Sequence, residues 1–96
     1  MDMKKMMKQA QMMQKNLNAV QDEIKLMEHT AEAGGGMVSA TVNGDMELIN
    51  LEINKDVVDP DDVEMLQDMV MAAANEALRG MRAISEEKMS SFVIGI

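Results

Sequence analysis

The chain contains no cysteine. Disulfide frameworks, thiol nucleophiles and cysteine-ligated zinc are therefore excluded. Aromatic residues are almost as scarce: Phe92 stands alone, with no Trp or Tyr. A core built around aromatic rings cannot form, and neither can a nucleic-acid site that stacks bases on aromatic platforms. The single histidine, His29, leaves no two-histidine metal pair and has no serine or cysteine partner in a recognisable catalytic motif. Its expected place is the surface, near a helix end. Long apolar runs are missing too. The longest is Met69 to Ala74, against the roughly 20 residues that a membrane-spanning helix needs. The opening Met1-Asp2-Met3-Lys4-Lys5 turns polar and glutamine-rich, unlike a signal peptide. A soluble cytoplasmic protein with no membrane partner is the expectation.

What is present fits one globular domain over residues 1–96, with 47% hydrophobic residues and fourteen methionines. The net charge is −8, but it is unevenly spread. Residues 1–20 hold Lys4, Lys5, Lys8 and Lys15 against Asp2, a local +3. Residues 79–88 hold Arg79, Arg82 and Lys88 against Glu86 and Glu87, a local +1. Residues 21–78 hold the other fourteen acids with only Lys25 and Lys55, a local −12. Surface fields decay over about 8 Å at physiological salt. Basic ends held away from an acidic middle can therefore attract a polyanion in spite of the total.

Periodicity predicts a long helix over about residues 3–30. Met3, Met6, Ala10, Met13, Leu17, Val20, Ile24 and Met27 follow a strict 3-4 spacing, the seam of helix-on-helix packing. Gly34-Gly35-Gly36 is expected to stop that helix and act as a flexible joint to a strand. Val38, Ala40 and Val42 then alternate, and Asn43-Gly44 predicts a tight type I′ hairpin turn. The returning segment, Asp45 to Ile53, switches apolar parity between Leu48 and Ile49, which predicts a bulge or a break into two short strands. Asp59-Pro60-Asp61-Asp62 reads as the start of a final helix, with Asp59 as cap, Pro60 at the first helical position and the acids at the positive end of the dipole. Val63, Leu66, Val70, Ala73, Ala77 and Ile84 carry its seam to about Ser90, with Gly80 marking a kink or a close contact. Phe92 to Ile96 forms a short apolar tail. The fold class is α+β: a long N-terminal helix, an antiparallel β-hairpin or three-stranded sheet, and a long C-terminal helix. One hairpin cannot cover two helices of roughly 40 and 45 Å. A homodimer with protruding helical arms is therefore expected.

No constellation points to catalysis. Asp56, Asp59, Asp61, Asp62 and Glu64 lack the alternating aspartates and central glycine of a calcium loop, so helix capping is the simpler reading. The glycine triplet precedes a strand, whereas a phosphate-binding loop precedes a helix. The methionine stripe lacks the cysteine or histidine partners of a metal site and fits pliable packing instead. No metal, cofactor or enzymatic activity is expected.

Met6-Met7-Lys8-Gln9-Ala10-Gln11-Met12-Met13-Gln14-Lys15 resembles the opening helix of the YbaB/EbfC family of bacterial nucleoid-associated proteins. The resemblance continues through Gly36-Met37-Val38, Val42-Asn43-Gly44, Leu51-Glu52-Ile53, the stretch from Met65 to Ala77, and Glu87-Lys88-Met89. It implies a small α+β homodimer shaped like tweezers, with long helices projecting from a sheet, that binds DNA, helps organise the nucleoid and can affect gene expression. Relatives often carry paired arginines after the alanine-rich stretch; here Arg79 and Arg82 are separated. On this reading Lys4, Lys5, Lys8, Lys15, Arg79, Arg82 and Lys88 contact the phosphates of double-stranded DNA with little direct base readout. The alternative is a protein-interaction module that partners a DNA repair or replication factor through its methionine-rich helices or acidic surface.

Overall fold

The structure is a computed structural model that describes residues 2–94. Its elements run α1 (Met3–Lys25), β1 (Glu28–Ala33), β2 (Val38–Asn43), β3 (Leu48–Ile53), a short 3₁₀ turn (Lys55–Val57) and α2 (Val63–Ile94). The three strands form one antiparallel sheet in the order β1-β2-β3. Of the two expected arrangements, the three-stranded sheet is the one formed.

The first helix ends earlier than its periodicity suggests. Leu26 caps it, and the chain then enters β1 through residues that look helical in isolation. Glu28, His29, Thr30, Ala31, Glu32 and Ala33 have weak strand propensity, but pairing with β2 over six residues overrides it. Gly34, Gly35 and Gly36 are therefore not a helix-to-strand joint. They make the β1–β2 hairpin turn, all three with left-handed φ of 64, 67 and 93°, which glycine adopts without the steric cost a Cβ brings.

The second hairpin also departs from expectation. Its loop spans Gly44 to Glu47, and the left-handed residue is Met46 at φ 64°. Gly44 is not in the left-handed region, so the type I′ turn does not form. Asn43 organises the loop instead: its Oδ1 accepts from the amides of Asp45 (3.0 Å) and Glu47 (3.1 Å). Gly44 is required for another reason. A Cβ at that position would overlap the Ile24 carbonyl oxygen, because the loop sits against the last turn of α1. The parity switch in β3 is a true bulge. Thr41 pairs with Asn50 and Val42 with Leu48, leaving Ile49 as the extra residue.

Helix α2 lies across β1 and β2. Val38, Ala40 and Val42 from β2 meet Ala73, Ala77 and Met81 from α2, all with 0% exposure, and Ala31 and Val57 complete the core. The short alanines let the helix settle close to the sheet. The start of α2 is at Val63, not at Asp59. Asp59 caps a preceding turn, with its Oδ1 accepting from Asp61 N at 2.9 Å, while Asp62 Oδ1 accepts from Met65 N at 3.2 Å and caps the helix itself. Pro60 lies in that turn, outside the helix and not at its first position. The helix continues to Ile94, past the expected end at Ser90; Phe92 to Ile94 belong to it, and the rest of the expected tail falls outside the described residues.

His29 is not a surface residue at a helix end. It is half-buried on β1, on the face toward α2, and its imidazole occupies the space beside Gly80 that a Cβ would need. Gly80 thus marks a close contact. This pair gives a sign-reversing test. Gly80→Ala should destabilise the native protein by about 1–3 kcal/mol through overpacking. In a His29→Ala background the same change should stabilise by up to about 1 kcal/mol, because only the helix-propensity gain remains. Urea denaturation of the four proteins measures the cycle.

Candidate nucleic-acid interface

The molecule is elongated, 73 × 19 × 16 Å, with a radius of gyration of 19.7 Å. A compact domain of this length would have about 12–13 Å. The length comes from α2, about 48 Å long, and from α1, which runs on past its end. The C-terminal half of α1 packs antiparallel beside the end of α2, where Leu17 and Val20 are half-buried and Ile24 is buried. A Lys88–Glu23 ion pair at 3.0 Å joins the two helices there, and at its exposure it contributes under about 1 kcal/mol. Counting 1.5 Å per residue from that pair, the last described turn of α2 lies level with about Leu17. Residues 3–16 of α1 project about 20 Å further as a single helical arm.

Asp2 starts the arm. Its side chain accepts from Lys4 N (3.1 Å) and Lys5 N (3.5 Å), and its charge complements the positive end of the helix. Beyond it the arm carries no acid until Asp22. Lys4, Lys8 and Lys15 fall within about 40° of arc at 100° per residue, and Lys5 stands about 100° round from Lys4. All four are exposed, and none is in an ion pair with the described residues. They form a cationic stripe on a rod narrow enough to lie along a duplex.

The other three predicted contact residues lie elsewhere. Arg79 is on the exposed side of α2 above the sheet, held by Glu76 through Nη2 at 2.8 Å and Nε at 3.2 Å. Arg82 is exposed one turn further along, without an ion pair among the described residues. Lys88 is engaged with Glu23. Along the molecular axis Arg79 and Lys4 are separated by roughly 40 Å. The structure thus brings together Lys4, Lys5, Lys8 and Lys15, and leaves Arg79, Arg82 and Lys88 apart from them.

The acidic residues divide in the same way. Asp59 and Asp62 serve turns and caps, and among the described residues no group of three His, Asp or Glu is arranged to hold a metal ion. Among those residues no helix is long and apolar enough to cross a membrane.

One surface was not singled out from the sequence. Leu48, Leu51 and Ile53 pair with Val42, Ala40 and Val38 and so share the face toward α2, yet α2 covers only β1 and β2. Leu48, Leu51 and Ile53 are left 37–49% exposed, and Ile53 lines a groove with Leu66, Gln67, Val70 and Met71. The alternation of Leu51 and Ile53 was visible in the sequence. What was not visible is that a single helix spans too little width to cover three strands.

Comparison with known proteins places these features. A profile of the YbaB/EbfC DNA-binding family matches residues 1–96. A nucleoid-associated protein of Alkaliphilus metalliredigens is 45% identical over 95 residues, covering 99% of this chain and 83% of its own. Another, from Thermoanaerobacter pseudethanolicus, is 47% identical over 91 residues, covering 95% of this chain and 82% of its own. The crystal structure of an uncharacterized protein from Helicobacter pylori superposes with a TM-score of 0.80 at 27% identity, over 97% of this chain and 98% of that one. With its whole length matched and its fold shared, the chain belongs to the YbaB/EbfC DNA-binding family and is not an enzyme.

Proposed function

We propose that this protein is a nucleoid-associated factor that binds double-stranded DNA as a homodimer, chiefly through phosphate contacts. The observation that carries the reading is the arm: four lysines on a projecting helix, with no acid between Asp2 and Asp22. Phosphate neutralisation is sequence-independent, which fits low base readout. The trunk, which carries most of the acids, repels DNA and confines binding to the arms. Residues 1–96 act as one YbaB/EbfC-like unit, and the protein works in the nucleoid, within the cytoplasm, where it affects DNA organisation and gene expression.

Dimerisation follows from the uncovered face. A second copy that seats its own helix and strand against Leu48, Leu51, Ile53 and the groove beside α2 removes that apolar surface from water. A twofold arrangement does so for both copies at once. It also presents two arms from one trunk, the tweezer shape. Lys4, Lys5, Lys8 and Lys15 make the principal contacts. Arg82 adds to them where DNA passes the trunk, and Arg79 and Lys88 contribute only by leaving Glu76 and Glu23.

A fluorescence anisotropy titration against salt tests this reading. With about four phosphates neutralised by one engaged arm, the log–log slope of affinity against salt should be about −3.6. Changing Lys4, Lys5 and Lys8 to Glu should weaken binding at least about tenfold and equally for unrelated sequences, whereas Arg79→Ala should change it less than about threefold. Absence of duplex binding at low salt would refute the reading.

A second reading is favoured by the exposed methionines of the arm and the acidic trunk: a module that holds a DNA repair or replication protein. Co-purification with and without nuclease separates the two. Under the DNA reading, associated proteins are lost on nuclease treatment; a stoichiometric partner that survives it would favour the module.

A further inference from the structure

The arm has a second face that phosphate binding does not use. Met6, Ala10 and Met13 continue the line of Leu17 and Ile24, and that line is centred about 180° round the helix from Lys4, Lys8 and Lys15. The lower part of this seam packs within the chain, beside the end of α2 and the Gly44 loop, where Leu17 and Val20 are half-buried and Ile24 is buried. The upper part continues at the same spacing and is exposed among the described residues: Met6 is 51% exposed and Met13 48%. An apolar seam that runs out of a helix–helix contact onto a bare arm is suited to another helix of the same kind.

The charges on the arm identify that helix. The residues flanking the seam, Gln9, Gln14 and Asn16, are neutral, so two copies of the arm can meet without like charges opposed. Antiparallel pairing centred near Ala10 sets Met6 of each arm against Met13 of the other, with the small Ala10 at the closest approach. The two lysine stripes then point away from each other. With interaxial spacing of about 8–10 Å and side chains reaching about 5 Å beyond each axis, the stripes are about 20 Å apart, more than twice the screening length. Each faces its own duplex.

We propose that the arms of two dimers pair through Met6, Ala10 and Met13, so that the protein bridges two DNA duplexes rather than only coating one. This rests on the DNA-binding reading above. The paired segment is short, below the roughly 12–15 residues at which isolated helices become marginally stable, so DNA-bound dimers pair far better than free ones through their raised local concentration.

The test uses one duplex fixed to beads, the full-length protein, and a second, fluorescent duplex in solution, with binding to a single duplex measured in parallel by anisotropy. The native protein should capture the second duplex. Met6→Gln with Met13→Gln should lower capture at least tenfold while single-duplex affinity stays within about twofold, because the changed residues face away from the lysines. Met6→Leu with Met13→Leu, which keeps the seam apolar, should capture as well as the native protein or better. Native-level capture by the Gln variant, or native protein that binds one duplex and captures no second, would overturn the proposal. Ala10→Cys, the only thiol in the chain, reports pairing without DNA, because the covalent bond accumulates from brief encounters of free arms. Oxidation should give a disulfide-joined four-chain species by native mass spectrometry, lost in the Gln background; a two-chain product alone would also overturn the proposal. If anisotropy shows no duplex binding at all, the DNA reading fails separately, and the thiol experiment still decides whether the arms pair.

Discussion

One helix cannot roof three strands. The core of this protein is a narrow layer in which α2 covers β1 and β2, and everything distinctive about the molecule follows from the strip left over. Val38, Ala40 and Val42 are completely buried, while their cross-strand partners Ile53, Leu51 and Leu48 keep more than a third of their surface in water. Burial at roughly 25 cal/mol per Å² drives such a surface toward a partner. A chain of this length, whose completely buried residues are three alanines, two valines and one methionine, has little stability to forgo.

The same economy explains α1. Only its C-terminal half packs within the chain, against α2 and the Gly44 loop, and the rest is committed to an arm. An isolated helical segment of that length is weak by itself, but the capping carboxylate of Asp2 and the packed lower half at Leu17, Val20 and Ile24 hold it in register. Placing the lysines there separates them from the acids of the trunk by more than a screening length. A protein of net charge −8 can in this way present a cationic surface without being basic as a whole.

Much of this was legible in the sequence, and the exceptions have physical causes. The 3-4 spacing located both long helices, and the parity switch at Leu48 and Ile49 located the bulge, because side-chain direction is fixed by backbone period. Strand β1 has no local signature, because Glu28 to Ala33 lacks β-branched residues apart from Thr30; its conformation comes from pairing with β2, which is a long-range property. The half-burial of His29 has no local signature, because Gly80, which leaves room for its ring, is fifty-one positions away. Asn43-Gly44 suggested a two-residue turn, but the loop is set by the Asn43 side chain and by the pressure of Ile24 on Gly44. The lysine stripe of the arm could be read directly from composition and spacing. The separation of Arg79, Arg82 and Lys88 from it could not, since it depends on how far α1 projects past α2 and on the Glu76 and Glu23 partners.

The central claim is that the uncovered face of β3 and its groove are closed by a second chain. Multi-angle light scattering across a dilution series measures this most directly. The account predicts the mass of two chains down to low micromolar concentration, and conversion toward single chains when Leu51 is replaced by Lys. A well-folded native protein with the mass of one chain throughout the series would contradict it.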